Sequence, residues 1–173
     1  MSVAAFPAVR LLVCGNIDRC DDGAAIWAAS ALLPDIHRDA QRPVDVHHVG
    51  QLDVETVLDL GDGVPLVILD CAVGVAAGAI VTLAFDELLA HPRGPAPHSS
   101  HALPIDQVLG VARQLSDAPI EGLFVGLGGE DFGFGRSLST PVRKALPAYI
   151  AEIKAAIGRL TLRAAIPVQG AGQ

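Results

Sequence analysis

"VRLLVCGNIDRCDDGAAIWAASALL" (9–33) decides the fold class. Its first six residues are almost wholly apolar and are followed by turn residues, the pattern of a strand buried on both faces. From Asp22 to Leu33, Ala, Ile, Trp and Leu recur at helical spacing, with an aspartate at the start and Pro34 as the expected stop. A buried strand, a tight polar turn and a helix form the opening half of a βαβ unit. The turn is the anomaly, because three aspartates, Asp18, Asp21 and Asp22, crowd into ten residues. One carboxylate suffices to cap a helix. A second has to be explained by something else, and a helix start keeps either one ionised, as a metal ligand must be.

Outward from that unit, strands and helices alternate. "VDVHHV" (44–49) alternates as a strand does, and "VETVLDL" (54–60) reads as a short helix ended by Gly61. "VPLVILDCAV" (64–73) is the most apolar stretch and reads as a central strand; "GAIVTLAF" (78–85) follows so closely that it must run antiparallel to it. The proline-containing segment 86–100 reads as a loop. "PIDQVLGVARQL" (104–115) opens a helix with a proline, "IEGLFVGLG" (120–128) is the last core strand, and "TPVRKALPAYIAEIKAAIGRL" (140–160) is a long amphipathic helix that Pro147 should bend or start. The expected fold is α/β, a three-layer sandwich with a mostly parallel sheet. Residues 1–160 form one expected domain and 161–173 a loose tail.

Bulk properties narrow the function. A formal net charge of −7 disfavours nucleic acid and anionic membranes, both of which reward clustered Lys and Arg. The segment "MSVAAFPAVR" has no secretory pattern and no apolar run is long enough for a membrane span. Three cysteines without paired spacing, Cys14, Cys20 and Cys71, fit a reducing, cytoplasmic setting as free thiols. Sequence signatures exclude several chemistries: there is no H-E-x-x-H, no G-x-S-x-G, no P-loop and no dinucleotide fingerprint.

In such sheets, ligands collect outside the carboxyl ends of the strands. That rule gathers Asp21 and Asp22 after the first strand, Asp70 at the end of "LVILD", His98 and His101 before a helix, and 128–131 after the last strand. Burying the Asp70 charge costs several kcal/mol unless a partner meets it. His47 and His48 alternate on a strand, point to opposite faces and read as structural. Two oxygen donors and an imidazole suit a borderline divalent ion such as nickel or zinc.

Five segments carry a resemblance: "GN", four residues and "DDG" (15–23); "LVILDCAVGVAAGAIVTL" (66–83); "SSHALPIDQVLGVARQL" (99–115); "LFVGLGGEDFGFGRSLSTPV" (123–142); and the closing helix. In this order, over about residues 9–158, they resemble the hydrogenase maturation endopeptidases. The resemblance implies a phosphorylase/hydrolase-like fold and removal of a C-terminal extension from the large-subunit precursor of nickel–iron hydrogenase after nickel insertion. It also implies Asp22, Asp70 and His101 as metal-contacting residues, with Asp22 and Asp70 catalytic. Nickel would be carried by the substrate rather than held permanently, and zinc or cadmium could occupy the same place. A monomer is expected. Four departures stand out: Val13 in place of a glycine, Ala25 in place of another, "HHVGQLD" (47–53) in place of D-G-G-T-x-G, and Cys20 beside the acids. The altered 47–53 segment keeps open a non-catalytic nickel or precursor-binding chaperone; a phosphorylase-like enzyme is disfavoured because the acids would repel phosphate.

Overall fold

The computed structural model describes residues 7–38, 43–72, 74–90 and 103–164. Strand β1 (Val9–Cys14) is followed by a 3-10 turn (Cys20–Gly23) and helix α1 (Ala24–Arg38). Then come β2 (Val44–Gly50), α2 (Val54–Leu60), β3 (Leu66–Ala72), β4 (Ile80–Ala84) and α3 (Phe85–Ala90). The chain closes with α4 (Ile105–Leu115), β5 (Gly122–Gly128) and α5 (Thr140–Ala164). The sheet order is β2-β1-β3-β5-β4, parallel except for β4.

Alternation along the strands divides the core between the two faces of the sheet. Val9, Leu11, Val13, Val67, Leu69, Val125 and Leu127 meet α1 and α5 on one face. Leu12, Cys14, Leu66, Ile68 and Phe124 meet α2, α3 and α4 on the other. Leu66 to Leu69 are all fully buried, as a two-sided central strand requires. Each such side chain contributes about 1.5–3 kcal/mol of transfer free energy. The three-layer α/β sandwich is therefore as expected.

Several expectations meet the structure here. Pro34 does not stop α1, and Pro147 lies inside α5 rather than at its first turn. Both prolines, and the residues Ser30 and Arg143 four positions earlier, lie on exposed helix faces. The carbonyl each proline leaves without a donor is therefore open to water. β4 runs antiparallel to β3, as expected, and its partner in the sheet is β5. Gly128 makes room for that connection: a Cβ there would stand 2.1 Å from the Ala76 carbonyl oxygen. Residues 86–90 are helical, not loop. Glu87 accepts the Ala84 N–H at 2.8 Å, Phe85 is buried, and the prolines all fall beyond residue 90. Finally, α5 runs to Ala164, so 161–164 belong to the helix rather than to a tail.

Candidate active site

The chain leaves β1 for β2 on one side and returns to β3 on the other, so the strand order reverses between β1 and β3. The crevice outside the carboxyl ends of those two strands is where such sheets bind ligands. Asp22 follows β1, and Asp70 is in the last turn of the β3 ladder. The two candidate acids thus flank the switch point.

The turn that carries Asp22 is built on Gly15. Its φ is +103°, and a Cβ there would lie 2.0 Å from the Asp22 carbonyl oxygen, so only glycine lets the chain fold back this tightly. The Asn16 N–H donates to one Asp22 carboxylate oxygen at 2.8 Å, and the Asn16 side chain accepts the Asp18 N–H at 2.9 Å. Asp22 is therefore clasped across its turn rather than used as a helix cap. Its second carboxylate oxygen has no hydrogen bond among the described residues. Burial raises its pKa, opposed by the Asn16 N–H and by the Arg19 charge.

Asp21 has a different role. It is 0% exposed and accepts three backbone N–H groups, from Glu130 and Asp131 at 3.0 Å and from Ser139 at 2.7 Å. Burial pushes its pKa up, but these donors more than offset it and hold it low. Every described bond of this carboxylate goes to the loop after β5, so Asp21 fastens that loop to the acid-bearing turn.

Asp70 is part-buried, and one of its oxygens accepts its own neighbour's N–H, from Cys71, at 2.7 Å. Alternation along β3 turns it toward the α2/α4 layer, the side on which Cys14 is buried. Burial, partly relieved by the Cys71 N–H and reinforced by the Asp22 charge, pushes its pKa up to about 7. The Asp22 and Asp70 charges also raise the Cys14 thiol, after burial itself. Cys14, Cys20 and Cys71 are free thiols, as expected. Behind the site, the wholly buried Tyr149 hydroxyl donates to the Val125 carbonyl at 3.0 Å and ties α5 to β5.

His101 and His98 lie outside the described residues; the described chain resumes at Leu103, beside the start of α4. Among the described residues no group of three His, Cys, Asp or Glu side chains forms a metal cage. His47 sits 2.8 Å from the Asp45 carboxylate on the same strand, consistent with a structural role.

Sequence reasoning placed 128–131 at this edge but missed what residues 133–136 add. The Arg19 guanidinium lies 4.9 Å from the centroid of the Phe134 ring. Cys20 takes the left-handed conformation, φ +47°, and donates its N–H to the Gly135 carbonyl at 2.7 Å. The signal available was Gly133-Phe134-Gly135, an aromatic between two glycines where no core position is possible.

The family described as HycI, hydrogenase maturation protease, matches residues 36–156, more than half of the sequence. The chain belongs to the hydrogenase maturation protease family. The matched span includes Asp70 and His101 and begins after Asp22. Among solved structures, this family member is similar to the maturating endopeptidase HybD of E. coli, at 21% identity over 87% of this chain and 92% of that one, TM-score 0.68. It is also similar to two Thermococcus kodakarensis proteins, the [NiFe] hydrogenase maturation proteases HybD and HycI. HybD gives 21% identity, 86% and 98% coverage and TM-score 0.64. HycI gives 17% identity, 87% and 92% coverage and TM-score 0.61. No curated protein matches the chain. At these identities the likeness establishes a shared fold. Among the described residues no helix is long and apolar enough to cross a membrane.

Proposed function

We propose that this family member is an endopeptidase that removes a C-terminal extension from the nickel-loaded large-subunit precursor of nickel–iron hydrogenase. The observation that carries the reading is the placement of Asp22 and Asp70 on either side of the sheet's switch point, each with one carboxylate oxygen left without a described hydrogen bond. A pair of part-buried carboxylates at one rim is an unstable arrangement unless a cation or a proton joins it. Substrate nickel, already held by the precursor, supplies that cation, and His101 would complete the donor set. The oxygen and nitrogen donors suit nickel, zinc or cadmium.

In this reading the metal contact positions the scissile bond and limits cleavage to loaded precursor. Water attacks the peptide carbonyl, its proton goes to one of the two carboxylates, and the same group returns it to the leaving amine. Incubation of nickel-loaded precursor with the protein, followed by mass spectrometry of the products, tests the proposal. The expected result is loss of one C-terminal peptide with wild type and at least a hundredfold slower loss with Asp22→Ala, Asp70→Ala or His101→Ala. Full activity in all three variants would overturn it.

A further inference from the structure

The loop after β5 displays an aromatic ring that the fold does not use. Phe134 is 88% exposed, more than any other large apolar side chain among the described residues. Exposed aromatics at the end of a loop are usually mobile, but this one is held from three directions. The base of the loop is fastened by Asp21, which takes N–H groups from Glu130, Asp131 and Ser139. Its middle pairs with the acid-bearing turn: Gly135 donates to the Asp18 carbonyl at 2.9 Å and accepts from Cys20 at 2.7 Å, and Arg136 meets the Asp18 carboxylate at 2.5 Å. The ring itself carries the Arg19 guanidinium at 4.9 Å. None of these contacts buries the ring.

We infer that Phe134 and Arg19 form a docking platform for the extended segment of the precursor that leads to the scissile bond. An apolar side chain of that segment lies against the ring, and a peptide carbonyl accepts from the guanidinium. Continuity with the candidate site selects this occupant. Arg19 is three residues from Asp22 in the same turn, close enough for its charge to act on that carboxylate. A peptide whose cleaved bond reaches Asp22 meets the same turn that carries Arg19. Aromatic and arginine side chains dominate binding energy at interfaces, and a platform already rigid loses little entropy on binding.

The inference rests on the protease reading above, and its test separates the two. Precursor affinity by biolayer interferometry and cleavage kinetics are measured for wild type, Phe134→Ala, Phe134→Trp and Leu115→Ala. Leu115 is 64% exposed at the end of α4 remote from the platform, so its truncation removes a comparable apolar side chain elsewhere. The expected result is affinity about tenfold weaker and KM about tenfold higher for Phe134→Ala, with a smaller change in kcat. Phe134→Trp should recover most of the loss, and Leu115→Ala should match wild type. Equal affinity of Phe134→Ala and wild type overturns the platform even if cleavage is normal. Wild type that binds through Phe134 but never cleaves overturns the protease reading and leaves the platform standing. Wild type that neither binds nor cleaves overturns both. A dimer dispersed by Phe134→Ala, with precursor affinity unchanged, assigns the ring to a second copy of the chain and overturns the inference.

Discussion

Ser139 donates its backbone N–H to the Asp21 carboxylate at 2.7 Å across 118 positions of sequence. With the Glu130 and Asp131 donors, it makes Asp21 the point at which the two loops of the candidate site become one piece.

Asp21→Ala should destabilise the protein by at least about 3 kcal/mol, because three backbone donors lose a charged acceptor in a buried place. The Asp21 pKa is lowered in the folded state, so its contribution is present above the unfolded value near 4 and is lost as pH falls through the folded value. Urea unfolding at about pH 7 and about pH 3 checks both points. The difference between wild type and Asp21→Ala should shrink at the lower pH, and a constant difference would contradict the assignment.

Asp70 has the opposite sign. Its folded pKa is raised to about 7, so it favours folding below the unfolded value and that contribution disappears as pH climbs through about 7. Asp70→Asn removes the penalty of ionising a buried group. The variant should melt near wild type at about pH 4 and above it at about pH 8, while cleavage is abolished at both. Thermal scans in paired buffers read this; a gap that does not widen toward alkaline pH would refute it.

Cadmium or zinc, added to the protein alone, should raise the melting temperature. At a hundredfold excess over Kd the gain is about 2.7 kcal/mol. It should be larger at about pH 8 than at about pH 5, because the ion competes with the proton on Asp70. Asp22→Ala, Asp70→Ala and His101→Ala should each abolish the shift. Retention of the full shift in all three would place the metal elsewhere.

Gly15→Ala should abolish cleavage and cost at least about 1–3 kcal/mol, since the new Cβ meets the Asp22 carbonyl at a left-handed φ. Gly158→Ala provides the contrast. That glycine lies inside α5 with open space around its Cα, so the substitution should stabilise by about 0.5–1 kcal/mol. Circular dichroism melts of the two variants should move in opposite directions.

The layers and the rim were legible because they depend on periodicity and on strand order, which an apolar run such as Leu66–Leu69 announces directly. The Pro34 stop failed because a proline's cost depends on whether the freed carbonyl meets water, and that is decided by which face of the helix it occupies. The pairing of β4 with β5 depends on the passage opened at Gly128, which no local pattern reveals. Asp21 and Asp22 are adjacent and chemically identical, so sequence alone could not assign their separate duties; partners from residues 130–139 do that. The Gly133-Phe134-Gly135 spacing hints at a displayed ring, but its significance lies in Arg19, more than a hundred residues earlier.

The Asp21 fastening also sets the order in which the molecule becomes competent during synthesis. Residue 139 must have left the ribosome before the aspartate turn at residues 18–22 acquires its final shape. A nascent chain that stops short of α5 lacks the Ser139 donor, so Asp21 has not yet joined the two loops.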